Sequence, residues 1–305
     1  MFIIVSDIAC PMMPVSVCIC AYNEESNIER AIRSVYSQTT DCFELTQVIV
    51  VSSESTDGTD RIVTSLTEEF PSLMLIRQEK RMGKNFAINE FLDNKMDGTI
   101  SVLLNADNIL RDESSLHYLI SPFKDEKVGI VGGHPIPTND PKKLMGFVAH
   151  MVWTMHHNVS MVRPNIGELV AFRDIGIRLP TDMQSDEAIM KMETEKRGYI
   201  SVYAPNAYIL NRGPETASDF VEQRARVIVG ETWMKNRYEY SVPIQMGTQR
   251  MNTLIDSVRD MGMHPFKIFF TFTLELISRL KAKEHMRRGE SMSIWKRVGS
   301  TKDLK

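Results

Sequence analysis

Four times within residues 14–108 a short apolar run stops abruptly in a knot of polar side chains, with a helical pattern close behind. The first instance reads VSVCICAYNEESNIERAIRSVYSQ over residues 15–38. Val15, Val17 and Ile19 are β-branched and alternate with small residues, the mark of a strand covered on both faces. Ser26 or Asn27 can cap the helix that follows, in which Ile28, Ala31, Ile32 and Val35 recur at helical spacing. Residues 21–25 are then a tight turn at the carboxyl end of a buried strand. In open α/β sheets that edge is where ligands sit.

The same unit recurs. Residues 48–51 read as a strand leading into SSESTDGT and a helix that Pro71 breaks. Residues 73–77 lead into QEKRMGKN, a basic loop, and a helix to about residue 94. Residues 99–105 end in LNADN, a helix covers about 113–121, and 128–132 form a fifth strand. This rhythm implies a mostly parallel sheet with helices on both faces. After Pro135 the pattern changes. A helix carries Leu144, Phe147, Val148, Met151, Val152 and Met155 on one face, followed by GELVAFR, a helix over about 186–197, and short strands at 200–203 and 207–210. From Pro214 the chain reads as helical. The expected division is an α/β domain over 1–213 and a helical region over 214–305.

A chain of 305 residues with formal charge -3 can bury a sizeable core but lacks the basic excess of a dedicated nucleic-acid binder. Cys10, Cys18, Cys20 and Cys42 have no zinc-ligand spacing, and Cys18 and Cys20 lie within the first strand, which fits a reducing cytosol better than a disulfide framework. No secretory leader is recognised and no apolar run is long enough to span a bilayer. The expected location is cytoplasmic, with a peripheral place on the inner face of the cell membrane left open.

The polar turns belong together, because parallel strands present their carboxyl ends on one side. Tyr22-Asn23-Glu24, residues 52–59, residues 80–84 and Asn105-Ala106-Asp107-Asn108 describe a cleft with groups for a base and ribose, a cationic stretch and a carboxylate. A nucleoside diphosphate needs those features. Asp107 could hold a divalent cation, a hard ion that takes oxygen ligands.

These segments, in order, resemble glycosyltransferase family 2: VSVCICAYNEESNIERAIRSVYSQ, VIVVSSESTDGTDRI, KRMGKNFAINEF and VLLNADN, then GGHPIP, GELVAFR, SDEAIMKMETEKRGY and QRARV. The resemblance covers roughly residues 14–230. It implies the GT-A fold and an inverting transfer of a sugar from a nucleotide donor with Mg²⁺ or Mn²⁺. Uridine diphosphate is the favoured carrier and guanosine diphosphate the second. The acceptor is a hydroxyl, on a polysaccharide or a lipid-linked saccharide. By the same resemblance the donor would be bound by Ala21, Tyr22, Asn23, Glu24, Ser52, Ser53, Glu54, Asp57, Lys84, Asn105, Ala106 and Asp107, with Lys84 steadying the phosphates and Asp107 holding the metal.

Two departures matter. Ser52-Ser53 stands where the family has its first acidic pair, while Asp57 is kept. The family's Asp-x-Asp reads Asn105-Ala106-Asp107, and Asn105 adds no charge to a metal site. SDEA resembles the segment that carries the catalytic base in cellulose-synthase-like members. Register from Gly198 favours Glu187 over Asp186, the alternative being that both only complement a helix dipole. QRARV resembles the Gln-x-x-Arg-Trp motif of processive synthases. That implies Gln223, Arg224 and Arg226 as acceptor or diphosphate contacts, but Val227 replaces the tryptophan.

Rival readings fail or remain at named places. A sugar-1-phosphate nucleotidyltransferase or a dehydrogenase would need a Gly-rich loop where Ala21-Tyr22-Asn23-Glu24 stands, and KRMGKN is not a P-loop. A non-catalytic nucleotide-sugar-binding relic or regulatory protein stays open through Ser52-Ser53 and Asn105. His134, His150, His156 and His157 do not read as a metal site. Residues 266–277, followed by Arg279, Lys281, Lys283, Arg287 and Arg288, read as a helix for a membrane interface, or else as a core or homodimer contact.

Overall fold

The computed structural model describes residues 12–39, 41–183, 185–241 and 249–288. The first half is the expected alternation: β1 (Met13–Ala21), α1 (Ile28–Tyr36), β2 (Phe43–Ser53), α2 (Thr59–Leu66), β3 (Leu73–Gln78), α3 (Lys84–Asn94) and β4 (Ile100–Asn105). Then come β5 (Ile109–Leu110), α4 (Ser115–Ile120), β6 (Val128–Pro137), α5 (Leu144–Val162), β7 (Val170–Phe172), α6 (Asp186–Lys196) and β8 (Ile200–Asn211). Three helices follow, α7 (Ala217–Tyr238), α8 (Gln249–Asp260) and α9 (Pro265–Arg288).

The strands form one sheet in the order β3-β2-β1-β4-β7-β6-β8-β5. Period-2 alternation decides its two faces. Val15, Val17 and Ile19 point into a cluster with Ile28, Ala31, Ile32 and Val35 of α1 and Leu116, Leu119 and Ile120 of α4. Cys18, Ile49 and Val51 point the other way, onto Ala87, Ile88 and Phe91 of α3 and Ile189 and Met190 of α6. Each fully buried side chain of this size is worth about 1.5–3 kcal/mol of transfer free energy, so the sheet is pinned from both sides.

The sheet is mixed, which the strand–helix rhythm does not reveal. β1 pairs in parallel with β2 and β4, and β2 with β3, but β7 enters antiparallel between β4 and β6. β6 and β8 are again parallel. The two short strands expected at 200–203 and 207–210 are one strand. Pro205, which has no N–H to give a ladder, lies where the register with β6 shifts between Gly132 and His134. A side chain on neighbouring Gly133 would meet Leu169 at 2.8 Å and the Ala207 carbonyl at 2.9 Å, so this crossing needs glycine.

Among the described residues no helix is long and apolar enough to cross a membrane. α9 buries Leu274, Ser278, Ala282 and His285, and leaves Phe266 and Phe269 72% and 71% exposed. Cys18, Cys20 and Cys42 are free thiols; Cys10 lies outside the described residues.

Candidate active site at the carboxyl edge of the sheet

Strand register brings the four polar turns level. Cys20 lies opposite Asn105, Ala21 opposite Ser52, and Ser53 opposite Gln78. The first two turns are then tied to each other. Asn23 takes a left-handed backbone (φ 53°), its N–H donates to Ser55 Oγ (3.1 Å), and its Oδ1 accepts from the Thr56 N–H (2.8 Å). Buried Glu24 donates its N–H to Thr59 Oγ1 (2.8 Å), while its Oε2 accepts from Asn27 Nδ2 (3.0 Å). Asn27 stands at the start of α1 but makes no side-chain cap; the Glu24 carbonyl accepts the N–H groups of Asn27 and Ile28 instead. Asp57 accepts from the N–H groups of Glu25 (3.2 Å) and Thr59 (2.9 Å). Ser52 donates to Asp60 (2.5 Å) and Ser53 to Gln78 (2.6 Å). Glu54, also left-handed (φ 58°), accepts from the Arg81 N–H at 3.0 Å, and the Arg81 guanidinium lies 3.9 Å from the centre of the Tyr22 ring. Much of the polarity of the first two turns thus joins them into one surface at the strand ends. Ala21 and Ala106 are buried beneath it.

The basic loop leads into α3. Gly83, at φ 95°, turns the chain into α3, and Lys84 begins that helix pointing at the SDEA segment. Its Nζ lies 2.6 Å from Asp186 Oδ2 and 3.4 Å from Glu187 Oε1. Lys84 is therefore paired with the two carboxylates that open α6. α3 also holds the approach to α6: Asn85 donates to the carbonyls of Pro180 and Met183 (both 2.7 Å), and Asn89 exchanges bonds with the backbone of Leu179.

The two acids are pushed apart in character. Burial alone would raise Asp186, but the Lys84 ammonium and the hydrogen bond with Glu187 together hold this carboxyl below the ordinary carboxylate range. Burial, then the neighbouring Asp186 charge, pushes Glu187 up to about 8.

Asp107 sits in the turn after β4. Its flanking amides converge on one carboxylate: Asn105 Nδ2 and Asn108 Nδ2 donate to Glu168 Oε2 at 3.0 and 2.8 Å. Glu168, inside GELVAFR, is a site residue the sequence reading left without a role. Its signal was a charged side chain between glycine and an apolar strand, too common to single out. Carboxylate and amide oxygens are the ligand chemistry of Mg²⁺ and Mn²⁺, so this turn fits such a cation.

Other expected residues lie elsewhere. Arg224 pairs with Glu275 of α9 (2.9 Å) and Glu231 (3.6 Å), and buried Arg226 with Glu222 (3.4 Å). Arg224 thereby ties α7 to α9, while the Arg226 pair lies within α7; buried guanidinium groups need carboxylates close at hand. Gln223 is half-buried on the same helix. His134 stacks on His157 (4.2 Å), His157 bonds to the Tyr203 hydroxyl (2.9 Å), and burial pushes His156 down to about 3, leaving it neutral. Among the described residues, Asp41, Cys42 and His117 form a group able to hold a metal, with ligand atoms within 4.8 Å of one another. It adjoins the amino end of β2, about 30 Å along that strand from the cleft.

Comparisons with known proteins identify the family and the fold. The sequence model of glycosyl transferase family 2 matches residues 16–179. The uncharacterized protein MT1568 of Mycobacterium tuberculosis (strain CDC 1551 / Oshkosh) is 33% identical over 116 residues, which are 38% of this chain and 34% of that protein. The match thus spans about a third of that relative's length. The mannosyltransferase PcManGT from Pyrobaculum calidifontis, solved with GDP-Man and Mn²⁺, has a TM-score of 0.61 at 20% identity, covering 88% of this chain and 86% of its own. Glucosyl-3-phosphoglycerate synthase from Mycobacterium tuberculosis, solved with Mn²⁺, UDP-glucose and phosphoglyceric acid, has a TM-score of 0.50 at 17% identity, covering 73% and 79%. At these identities the likeness shows the fold, the GT-A arrangement with added carboxyl-terminal helices.

Proposed function

The chain belongs to glycosyl transferase family 2, and on that premise we propose that it transfers a sugar, with inversion, from a nucleoside diphosphate sugar to an acceptor hydroxyl. The observation that carries the reading is the meeting of Lys84, Asp186 and Glu187 beside strand ends that bear Asp107. Glu187 takes the proton of the acceptor hydroxyl. The acceptor oxygen bonds to the anomeric carbon from the face opposite the diphosphate, and the bond from that carbon to the diphosphate oxygen breaks. Lys84 keeps Asp186 ionised and the pair in place, so that Asp186 orients while Glu187 exchanges its proton. Asp107 would hold Mg²⁺ or Mn²⁺, which when bound offsets the charge of the departing diphosphate. The donor is a UDP- or GDP-sugar.

A panel of UDP- and GDP-sugars with Mn²⁺, scored by protection against heat denaturation, tests the donor. A ligand at a hundred times its Kd stabilises the fold by about 2.7 kcal/mol. Asp107→Asn is expected to weaken the Mn²⁺-dependent part of donor binding at least about tenfold with the fold intact. A panel in which no donor protects the parent protein rules the reading out. Protection without sugar transfer to any acceptor favours a nucleotide-sugar-binding protein.

We also propose that α9 rests on an anionic membrane surface. Phe266, Phe269, Leu276 and Leu280 repeat along one exposed stripe, which continues into exposed Lys283 and Arg287. Apolar area followed by positive charge complements a bilayer interface bearing anionic lipid. The protein is expected to pellet with phosphatidylserine-containing vesicles at low salt and to do so less as salt rises. If it stays in the supernatant and sediments as a dimer, the stripe is a contact between copies.

A further inference from the structure

The Asn105-Ala106-Asp107 turn carries one carboxylate where two are expected. The sheet topology supplies another. β7 runs antiparallel to β4, with Ser101 opposite Phe172, Val102 opposite Ala171 and Leu103 opposite Val170. Carried two residues further, that register sets Asn105 level with Glu168. The hydrogen bonds agree, since Asn105 and Asn108, on either side of Asp107, both donate to Glu168 Oε2. Oε1 takes part in neither bond. Two amide donors on one oxygen hold the carboxylate in a fixed orientation beside Asp107, and Asp107's charge acts on it.

The backbone at Glu168 is also unusual. Its φ is 60°, left-handed for a residue with a Cβ, and the Leu169 N–H closes a three-residue turn onto the Gly167 carbonyl at 2.7 Å. Turns of this hand are uncommon and strained, and glycine or asparagine relieves them. Strain of this kind concentrates at functional sites. A glutamate kept at such a place makes sense if its side chain does something the easier residues cannot.

We infer that Glu168 is the second carboxylate of the cation and diphosphate site, supplying across the β4–β7 pairing the acidic oxygen that Asn105 does not. The inference rests on the nucleotide-sugar reading above. Asn105 and Asn108 are then positioning residues that aim Glu168, and Lys84, whose bonds go to Asp186 and Glu187, serves the acceptor side. A loop latch is the alternative, and it needs only an acceptor oxygen, which glutamine also has.

Mn²⁺ binding, followed by the electron paramagnetic resonance of the free ion, separates the two. It is measured on the full chain with Mn²⁺ alone, with UDP and with GDP. Glu168→Gln is expected to raise the Mn²⁺ Kd in the presence of nucleotide about tenfold or more, with an unchanged melting temperature, because one ligand charge is lost while the hydrogen bonds survive. Adding Asn105→Asp to that variant is expected to restore binding to within about threefold of the parent, since the charge returns on the other strand. Binding by Glu168→Gln equal to the parent's overturns the inference. So does a loss that Asn105→Asp does not repair. Asp107→Asn is the control for the underlying reading: if it too binds Mn²⁺ like the parent, the cation site itself is misplaced. If it alone loses Mn²⁺, only the role of Glu168 falls.

Discussion

Glu187→Gln is expected to lower glycosyl transfer by about a hundredfold or more, while donor affinity stays close to the parent's. The base acts on the acceptor proton, and Gln keeps the side chain's shape without its basicity. Asp186→Asn tests the assignment from the other side, because Asp186 bonds to Lys84 at 2.6 Å and Glu187 lies further from it, at 3.4 Å. With Glu187 raised to about 8, a rise in pH is expected to ionise it and, if it is the base, to raise turnover. kcat/KM for the acceptor is therefore expected to climb as pH rises through that value. Turnover and donor affinity measured for both variants from pH 6 to 9 decide the matter. Parental turnover in Glu187→Gln, with Asp186→Asn dead, moves the base to Asp186. Parental turnover in both removes α6 from the mechanism.

Lys84→Met is expected to destabilise the fold by about 3–5 kcal/mol near neutral pH, the cost of leaving a buried carboxylate without its cation. Asp186 is almost fully buried and Lys84 largely so, which makes this pair unlike a surface ion pair. The pH dependence has a definite sign. Asp186 is depressed in the folded state, so its contribution is complete above its unfolded value of about 3.9 and is lost as pH falls through the lower folded value. The gap between parent and variant should therefore narrow in acid. Urea denaturation at pH 7 and at pH 3 measures both gaps. A difference below about 1 kcal/mol at pH 7 would mean the pair is solvated, and its role in orienting Glu187 would go with it.

Local periodicity made β1, β2, β3 and β4 and their helices readable from the sequence. Val15, Val17 and Ile19 alternate because both faces of β1 are covered, and Ile28, Ala31, Ile32 and Val35 recur because one face of α1 is. Parallel strands then had to present their turns on one edge, so the region of Asp107 could be located before any coordinates. The ordered motifs likewise pointed to the family and its fold. The partners of individual side chains were not readable, because they are chosen by packing and desolvation between distant segments. Lys84 meets Asp186 because α3 and α6 lie on the same face of the sheet, and a buried ammonium is stable only beside carboxylates. Arg224 finds Glu275, 51 residues away, for the same reason. Glu168 reaches Asn105 across 63 residues only because β7 enters antiparallel between β4 and β6. A three-residue strand carries too little periodicity to announce its direction or its neighbours, so that choice belongs to the assembled sheet.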